Sequence, residues 1–115
     1  MFNLPTPKFS VREIPVFGDL ILAPMDGISD YPFRSLARHL GSAMSYTEFI
    51  NARDVLERHP HLPQRLAYSE LERPVVFQIF DDDPDRMLAA AQLLMEYTPD
   101  ILDINLGCSA KTVTG

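Results

Sequence analysis

Residues 74–108 read PVVFQIFDDDPDRMLAAAQLLMEYTPDILDINLGC, from Pro74 to Cys108. The run Pro74-Val75-Val76-Phe77-Gln78-Ile79-Phe80 is rich in β-branched and aromatic residues and predicts a strand. Asp83-Pro84 supplies an N-cap followed by proline at the first helical position. Behind it Met87, Leu88, Ala91, Leu94 and Met95 recur at helical spacing and predict one apolar face. Thr98-Pro99 ends that helix, and Ile101-Leu102-Asp103-Ile104 returns to a buried strand. Strand, helix and strand in this order predict a parallel pair joined by a right-handed crossover.

The same alternation continues toward the N-terminus. Leu20-Ile21-Leu22-Ala23 predicts a short apolar strand ended by Pro24, with a loop at Asp26-Gly27-Ile28-Ser29. Ser29 or Asp30 can cap a helix from Tyr31 to about Leu40, with Pro32 in its first turn and Gly41 as its stop. Phe33, Leu36, Ala37 and Leu40 share one face of it. Ala43-Met44-Ser45-Tyr46-Thr47 predicts the second strand, ending near Glu48; residues 49–58 predict a helix and residues 60–63 a loop. Residues 1–17 carry Pro5, Pro7 and Pro15 and read as an extended N-terminal extension, with a short hairpin expected around Gly18-Asp19. Residues 18–115 then form one unit with no internal boundary, no fixed-period repeat and no low-complexity segment. The fold class is α/β, with parallel strands alternating with helices. Four strands fit an open sheet or the N-terminal half of a (β/α)8 TIM barrel, truncated after the fourth strand. A complete barrel needs about 250 residues, and this sequence has 115.

Composition narrows the function classes. Hydrophobic residues make up 46% and charged residues 23%, ordinary proportions for a globular protein. No apolar stretch approaches the ~20 residues needed to span a bilayer. Met1-Phe2-Asn3-Leu4-Pro5 lacks the basic and apolar segments of a signal peptide. A single cysteine makes no internal disulfide, so a cytoplasmic, reducing compartment is expected. The net charge of −6 argues against a phosphate-binding basic face on this segment.

Several residues could carry chemistry. Cys108 follows Asn105-Leu106-Gly107 at the C-terminal end of an apolar strand, where α/β proteins place their sites. A free thiol has a pKa of about 8.5, so near neutrality it is mostly protonated and can act as an acid. A buried structural cysteine is an equal alternative. Pro24-Met25-Asp26-Gly27 either forms a simple turn or lets backbone approach a flat ligand. Gln78 is an amide inside an apolar strand and needs a partner, either backbone or a heterocycle with donor and acceptor edges. Asp81-Asp82-Asp83 reads as helix capping rather than a cation site. His59-Pro60-His61 lacks a third ligand, so no metal site is expected. No Gly-x-Gly-x-x-Gly and no phosphate loop are present.

Taken together these residues resemble a known pattern. Ala23-Pro24-Met25-Asp26-Gly27-Ile28-Ser29-Asp30-Tyr31-Pro32-Phe33-Arg34, then Thr47-Glu48, then Pro74 to Phe80 with Asp83-Pro84, then Asp103-Ile104-Asn105-Leu106-Gly107-Cys108 with Lys111 and Val113 occur in the order seen in the tRNA-dihydrouridine synthases. The resemblance runs from about residue 18 to the end, and the order of its four motifs makes it specific. It implies the N-terminal half of a flavin-binding barrel, whose later parts include a helical domain that helps hold tRNA. It implies that reduced FMN gives a hydride to C6 of a uracil ring, that the motif cysteine gives a proton to C5, and that NADPH recharges the flavin. By position, Cys108 would be the proton donor. Pro24, Met25 and Asp26 would line the flavin, Gln78 would hydrogen-bond its polar ring edge, and Asn105 would face the flavin and a flipped uridine.

Ser109 stands where the family usually has proline, Asp26 where a small residue is commoner, and Asp81 where glycine is usual. Under this reading the isolated 115-residue chain is inactive and holds FMN poorly, because further flavin contacts and the RNA-binding domain lie beyond Gly115. Two other readings stand beside it. One is a non-catalytic half barrel that self-associates to cover its open sheet edges. The other is a related flavin barrel acting on a free pyrimidine.

Overall fold

The computed structural model describes residues 5–107. Strands β1 (Phe9–Val11) and β2 (Ile14–Val16) pair antiparallel, Phe9 opposite Val16 and Val11 opposite Ile14. The turn is Arg12-Glu13, with Arg12 in the left-handed region at φ 53°. The hairpin therefore precedes Gly18-Asp19, where the sequence pattern put it. Gly18 answers a different need: a Cβ there would sit 2.7 Å from Ala43 Cβ, so glycine permits the chain to cross at close range. Residues 20–23 then run without forming the expected strand. The Ala43 N–H donates to the Leu20 carbonyl at 2.9 Å, but the Leu22 N–H goes to Ser42 Oγ at 3.1 Å. A serine hydroxyl takes the place of the next backbone acceptor, and the ladder does not propagate.

Helix α1 (Tyr31–His39) starts as its sequence dictates: Asp30 accepts from the Phe33 N–H at 3.1 Å and Pro32 lies in the first turn. It ends at Leu40, with Gly41 at φ 115°. Its packing is the reverse of its hydrophobic pattern. Arg34 is the buried residue, whereas Phe33, Leu36 and Leu40 are exposed, Leu40 by 76%. With Leu20, Ile21, Leu22 and Ala37 they line a shallow apolar groove.

Next come β3 (Ser45–Tyr46), β4 (Ile50–Asn51), α2 (Ala52–Leu56), α3 (Leu62–Leu66), a short 3-10 turn at Glu70–Glu72 and β5 (Val75–Phe80). The segment expected to be one helix over 49–58 is thus strand and helix in turn, because Asn51 is itself the N-cap, accepting from the Arg53 N–H. Leu62 already begins α3 inside the expected loop. Both β3 and β4 run parallel along one edge of β5, Ser45 opposite Val75 and Ile50 opposite Ile79. Residues 47–49 span what 77–78 span on β5, so this line carries one extra residue, a bulge at Thr47–Phe49.

Helix α4 (Pro84–Leu94) is capped by Asp83, which accepts from the Asp85 and Arg86 N–H groups. Its buried stripe is Ala90 and Leu94, flanked by Met87 and Ala91; Leu88 and Met95, expected on that face, are exposed. Strand β6 (Ile101–Ile104) pairs parallel with the other edge of β5, Gln78 opposite Asp103.

The sheet is packed differently on its two faces. Val75, Phe77 and Ile79 point to one side and pack with Ile50 of β4 and with Val55, Leu62, Leu66, Ala90 and Leu94 from the helices. On the other side Val76 meets Val16, Ala43 and Met44, with Ile21, Tyr46 and Ile101 beside them. The hairpin residue Val16 thus closes the N-terminal end of this second face. Because side chains alternate along a strand, Gln78 on β5 and Asp103 on β6 continue the Val76 and Ile101 rows toward the C-terminal ends.

Candidate active site

Every strand of the parallel sheet ends on the same side, so the residues after each strand gather at one edge. On β5 the Gln78 side chain is only 8% exposed. Its Nε2 donates to Asp103 Oδ2 at 2.7 Å. Its Oε1 accepts from Asn105 Nδ2 at 3.4 Å. Asn105 Oδ1 in turn accepts from the Gly107 N–H at 3.0 Å, and the Asn105 N–H extends the ladder to the Ile79 carbonyl. The result is a chain of hydrogen bonds from Gly107 through two amides to one carboxylate. Tyr46 lies near that carboxylate: burial first, and then the Asp103 charge, push its phenol above the ordinary value, so the hydroxyl stays protonated at neutral pH.

The bulge in the β3–β4 line serves the same edge. The Thr47 N–H donates to the Val76 carbonyl at 2.9 Å, and Thr47 Oγ1 accepts from the Gln78 N–H at 3.2 Å. A side-chain oxygen replaces a ladder carbonyl, so the strand can bend without stranding the Gln78 amide. Just beyond it, Glu48 meets Arg65 Nη1 at 3.4 Å, and the same nitrogen lies 3.6 Å from Asp26 Oδ1. Arg65 therefore ties the loop after residues 20–23 to the end of β3.

That loop is closed on itself. The Ile28 and Ser29 N–H groups both donate to the Met25 carbonyl, and Ser29 Oγ accepts from the Met25 N–H at 2.8 Å. Gly27 takes φ 78°, and nothing lies within 4 Å of the position a Cβ would occupy. Beneath the loop Arg34 donates to the Ser29 carbonyl (3.1 Å), the Ala67 carbonyl (2.6 Å) and Glu72 Oε1 (3.0 Å). Glu72 Oε2 accepts from the Ser69 N–H. Arg34 and Glu72 are 2% and 1% exposed, a buried ion pair with additional hydrogen bonds on both partners.

Gln78 and Asn105, both expected in the site, are brought into contact. Pro24, Met25 and Asp26 lie in a loop linked to them through Arg65, Glu48 and the Thr47 bulge. Cys108, Ser109, Lys111 and Val113 lie outside the described residues; Gly107 is the last described. Arg34 and Asp103 stand in the quoted motifs but carried no expected role, and Arg65 stands in none. For Asp103 the signal was present, a carboxylate inside an apolar strand, the same feature that drew attention to Gln78. The triple aspartate acts as its sequence suggests: Asp83 caps α4, and Arg86 bonds Asp81 through Nε and Nη2, Asp82 through Nη2 and Asp83 through Nη1. These bonds hold the Asp81 carboxyl well below the usual range. His59 Nδ1 accepts from the His61 N–H, and among the described residues no three potential ligands gather as a metal site.

A parallel sheet with helices packed on one face and a row of amide and carboxylate side chains at its strand ends defines an α/β protein with its polar groups gathered where such folds place their sites. Comparison with known proteins gives that class a family. A profile described as "Dihydrouridine synthase" matches residues 21–115, and the chain belongs to the dihydrouridine synthase family. It is 42% identical over 98 residues to a probable tRNA-dihydrouridine synthase of Aquifex aeolicus, covering 84% of this chain and 30% of that protein. It is 40% identical over 94 residues to tRNA-dihydrouridine synthase B of Pseudomonas aeruginosa, covering 82% and 28%. It is 33% identical over 118 residues to a probable tRNA-dihydrouridine synthase of Mycobacterium tuberculosis, covering 96% and 30%. The chain thus spans under a third of the length of these curated relatives.

Proposed function

We propose that this chain is the N-terminal half of the flavin barrel of a cytoplasmic tRNA-dihydrouridine synthase, which reduces a uridine of tRNA to 5,6-dihydrouridine with NADPH as reductant. The observation that carries the reading is the hydrogen-bonded row Asp103–Gln78–Asn105–Gly107 in a chain of this family, ending one residue before Cys108.

The donor set suits FMN. Each amide nitrogen spends one N–H within the row, among the described residues, and keeps a second for a ring with alternating acceptors and N–H groups. The open space over Gly27 leaves the Met25–Ser29 loop accessible to a flat ligand. When bound, the reduced flavin supplies the hydride. Gln78 holds the polar edge of the ring, while Pro24, Met25 and Asp26 line it. Asn105 faces the ring and the extruded uridine. Cys108 holds a proton at Sγ and delivers it to C5, a task suited to a thiol that is neutral near pH 7. These 115 residues alone are inactive and do not retain FMN, because less than a third of the relatives' length leaves the flavin and tRNA sites incomplete.

The test uses the natural full-length gene product with tRNA and NADPH, with dihydrouridine read as a two-hydrogen mass gain. Wild-type protein is expected to carry flavin and to form the product. Cys108→Ala is expected to lose about 10²- to 10⁴-fold in rate, the usual contribution of a positioned acid, while keeping its flavin. Unchanged turnover in that variant would remove Cys108 from the mechanism.

A further inference from the structure

We infer that Asp103 is a positioning residue that sets the orientation of the Gln78 amide and, through Asn105, of the loop leading to Cys108. The inference rests on the flavin reading of the site and concerns a residue that no motif role has covered.

An ionised carboxylate only accepts hydrogen bonds, whereas an amide can present either its oxygen or its nitrogen. Asp103 lies directly opposite Gln78 in the parallel register, and its Oδ2 is 2.7 Å from Gln78 Nε2. The carboxylate therefore selects one of the two orientations of the amide: nitrogen toward β6, oxygen toward Asn105. The consequence propagates. With Gln78 Oε1 facing it, Asn105 turns its own nitrogen to Gln78 at 3.4 Å and its oxygen to the Gly107 N–H at 3.0 Å. Every hydrogen bond in the row points the same way, and the row ends at one acceptor-only group. A group that could both donate and accept at position 103 would remove the selection. Gln78 would then take either orientation, and half of those would present the wrong atom to a flavin edge. Chains of hydrogen bonds of this kind also strengthen one another. Among the described residues Gln78 Nε2 is the side-chain donor hydrogen-bonded to the Asp103 carboxylate, a charge-assisted bond.

The inference predicts that Asp103 and Gln78 act as one unit. In the natural full-length gene product, Asp103→Asn, Gln78→Ala and the double variant are compared by FMN dissociation constant, by the band structure of the bound-flavin absorption spectrum, and by melting temperature. Asp103→Asn is expected to weaken FMN about tenfold, the scale of a hydrogen bond to a charged group. Its spectrum is expected to lose band structure, and its melting temperature to change little. In the Gln78→Ala background the same substitution is expected to add almost nothing. Asp103→Glu keeps an acceptor-only group and is expected to bind FMN more tightly than Asp103→Asn. If Asp103→Asn does not fold, Asp103→Ser, which also donates and accepts, takes its place in the cycle. Additive losses in the double variant, wild-type affinity in Asp103→Asn, or equal losses in the Asn and Glu variants would each overturn the positioning role while leaving the flavin site standing. Wild-type protein that holds no flavin would overturn the flavin reading itself, and this inference with it.

Discussion

Removing the Arg34 guanidinium leaves Glu72 buried without its counter-charge and three acceptors without a donor. Breaking a buried pair from one side costs about 3–5 kcal/mol, so Arg34→Met is expected to lower the urea midpoint strongly. Glu72→Gln keeps the shape but leaves Arg34 without its counter-charge, so it is expected to lose comparably; a much smaller loss would show that packing, not charge, dominates. Asp81 acts at the same scale through pH. Its hydrogen bonds with Arg86 hold it below the ordinary aspartate range. A group lowered in the folded state stabilises the fold above its unfolded value, and that stability is lost as pH falls through the folded value. Stability measured from about pH 5 down to about pH 2 is therefore expected to fall, and to fall less steeply in Asp81→Asn. An unchanged slope would mean that the pair contributes nothing.

At the scale of elements, the close crossing at Gly18 and the bulge at Thr47 decide how the strand lines meet. Gly18→Ala forces two Cβ atoms to 2.7 Å in the present geometry, and overpacking of this kind costs about 1–3 kcal/mol. Ala43→Gly in the same molecule removes the clashing atom and is expected to recover most of that loss. The absence of any recovery in the double variant would place the strain elsewhere. Thr47 shows why the strand ended near Glu48 in the sequence pattern and β4 beyond it was missed: its hydroxyl supplies the acceptor that a regular strand takes from backbone, and no alternation of apolar residues signals that exchange. Helix α1 shows the converse. Its ends follow from Asp30, Pro32 and Gly41, but the face it buries was set by Arg34 and its distant partners.

For the whole molecule, the notable feature is what α1 leaves uncovered. Phe33, Leu36 and Leu40 form an apolar groove with residues 20–22, and monomeric proteins seldom expose such patches without a partner. The 115-residue chain by itself is expected to associate in solution, as sedimentation would show. Leu36→Glu with Leu40→Glu is expected to shift it toward monomer. A wild-type chain that sediments as a monomer at high concentration would refute that expectation. Among the described residues no helix is long and apolar enough to cross a membrane.

Several elements follow from short-range signals in the chain. Capping residues, proline positions and β-branched runs act over a few residues, so α1, β5, α4 and β6 were legible from the chain, together with Gln78 as an amide inside an apolar strand. The motif order also pointed to the family. Which residues meet is set by the fold of the whole chain. Arg34 finds Glu72 across 38 positions, Arg65 finds Asp26 across 39, and Gln78 finds Asp103 across 25. It also moved the hairpin ahead of Gly18, left residues 20–23 without a ladder and turned the apolar face of α1 outward. Such pairings depend on strand register and on the path of the chain between elements, and neither is encoded in the local pattern of any one segment.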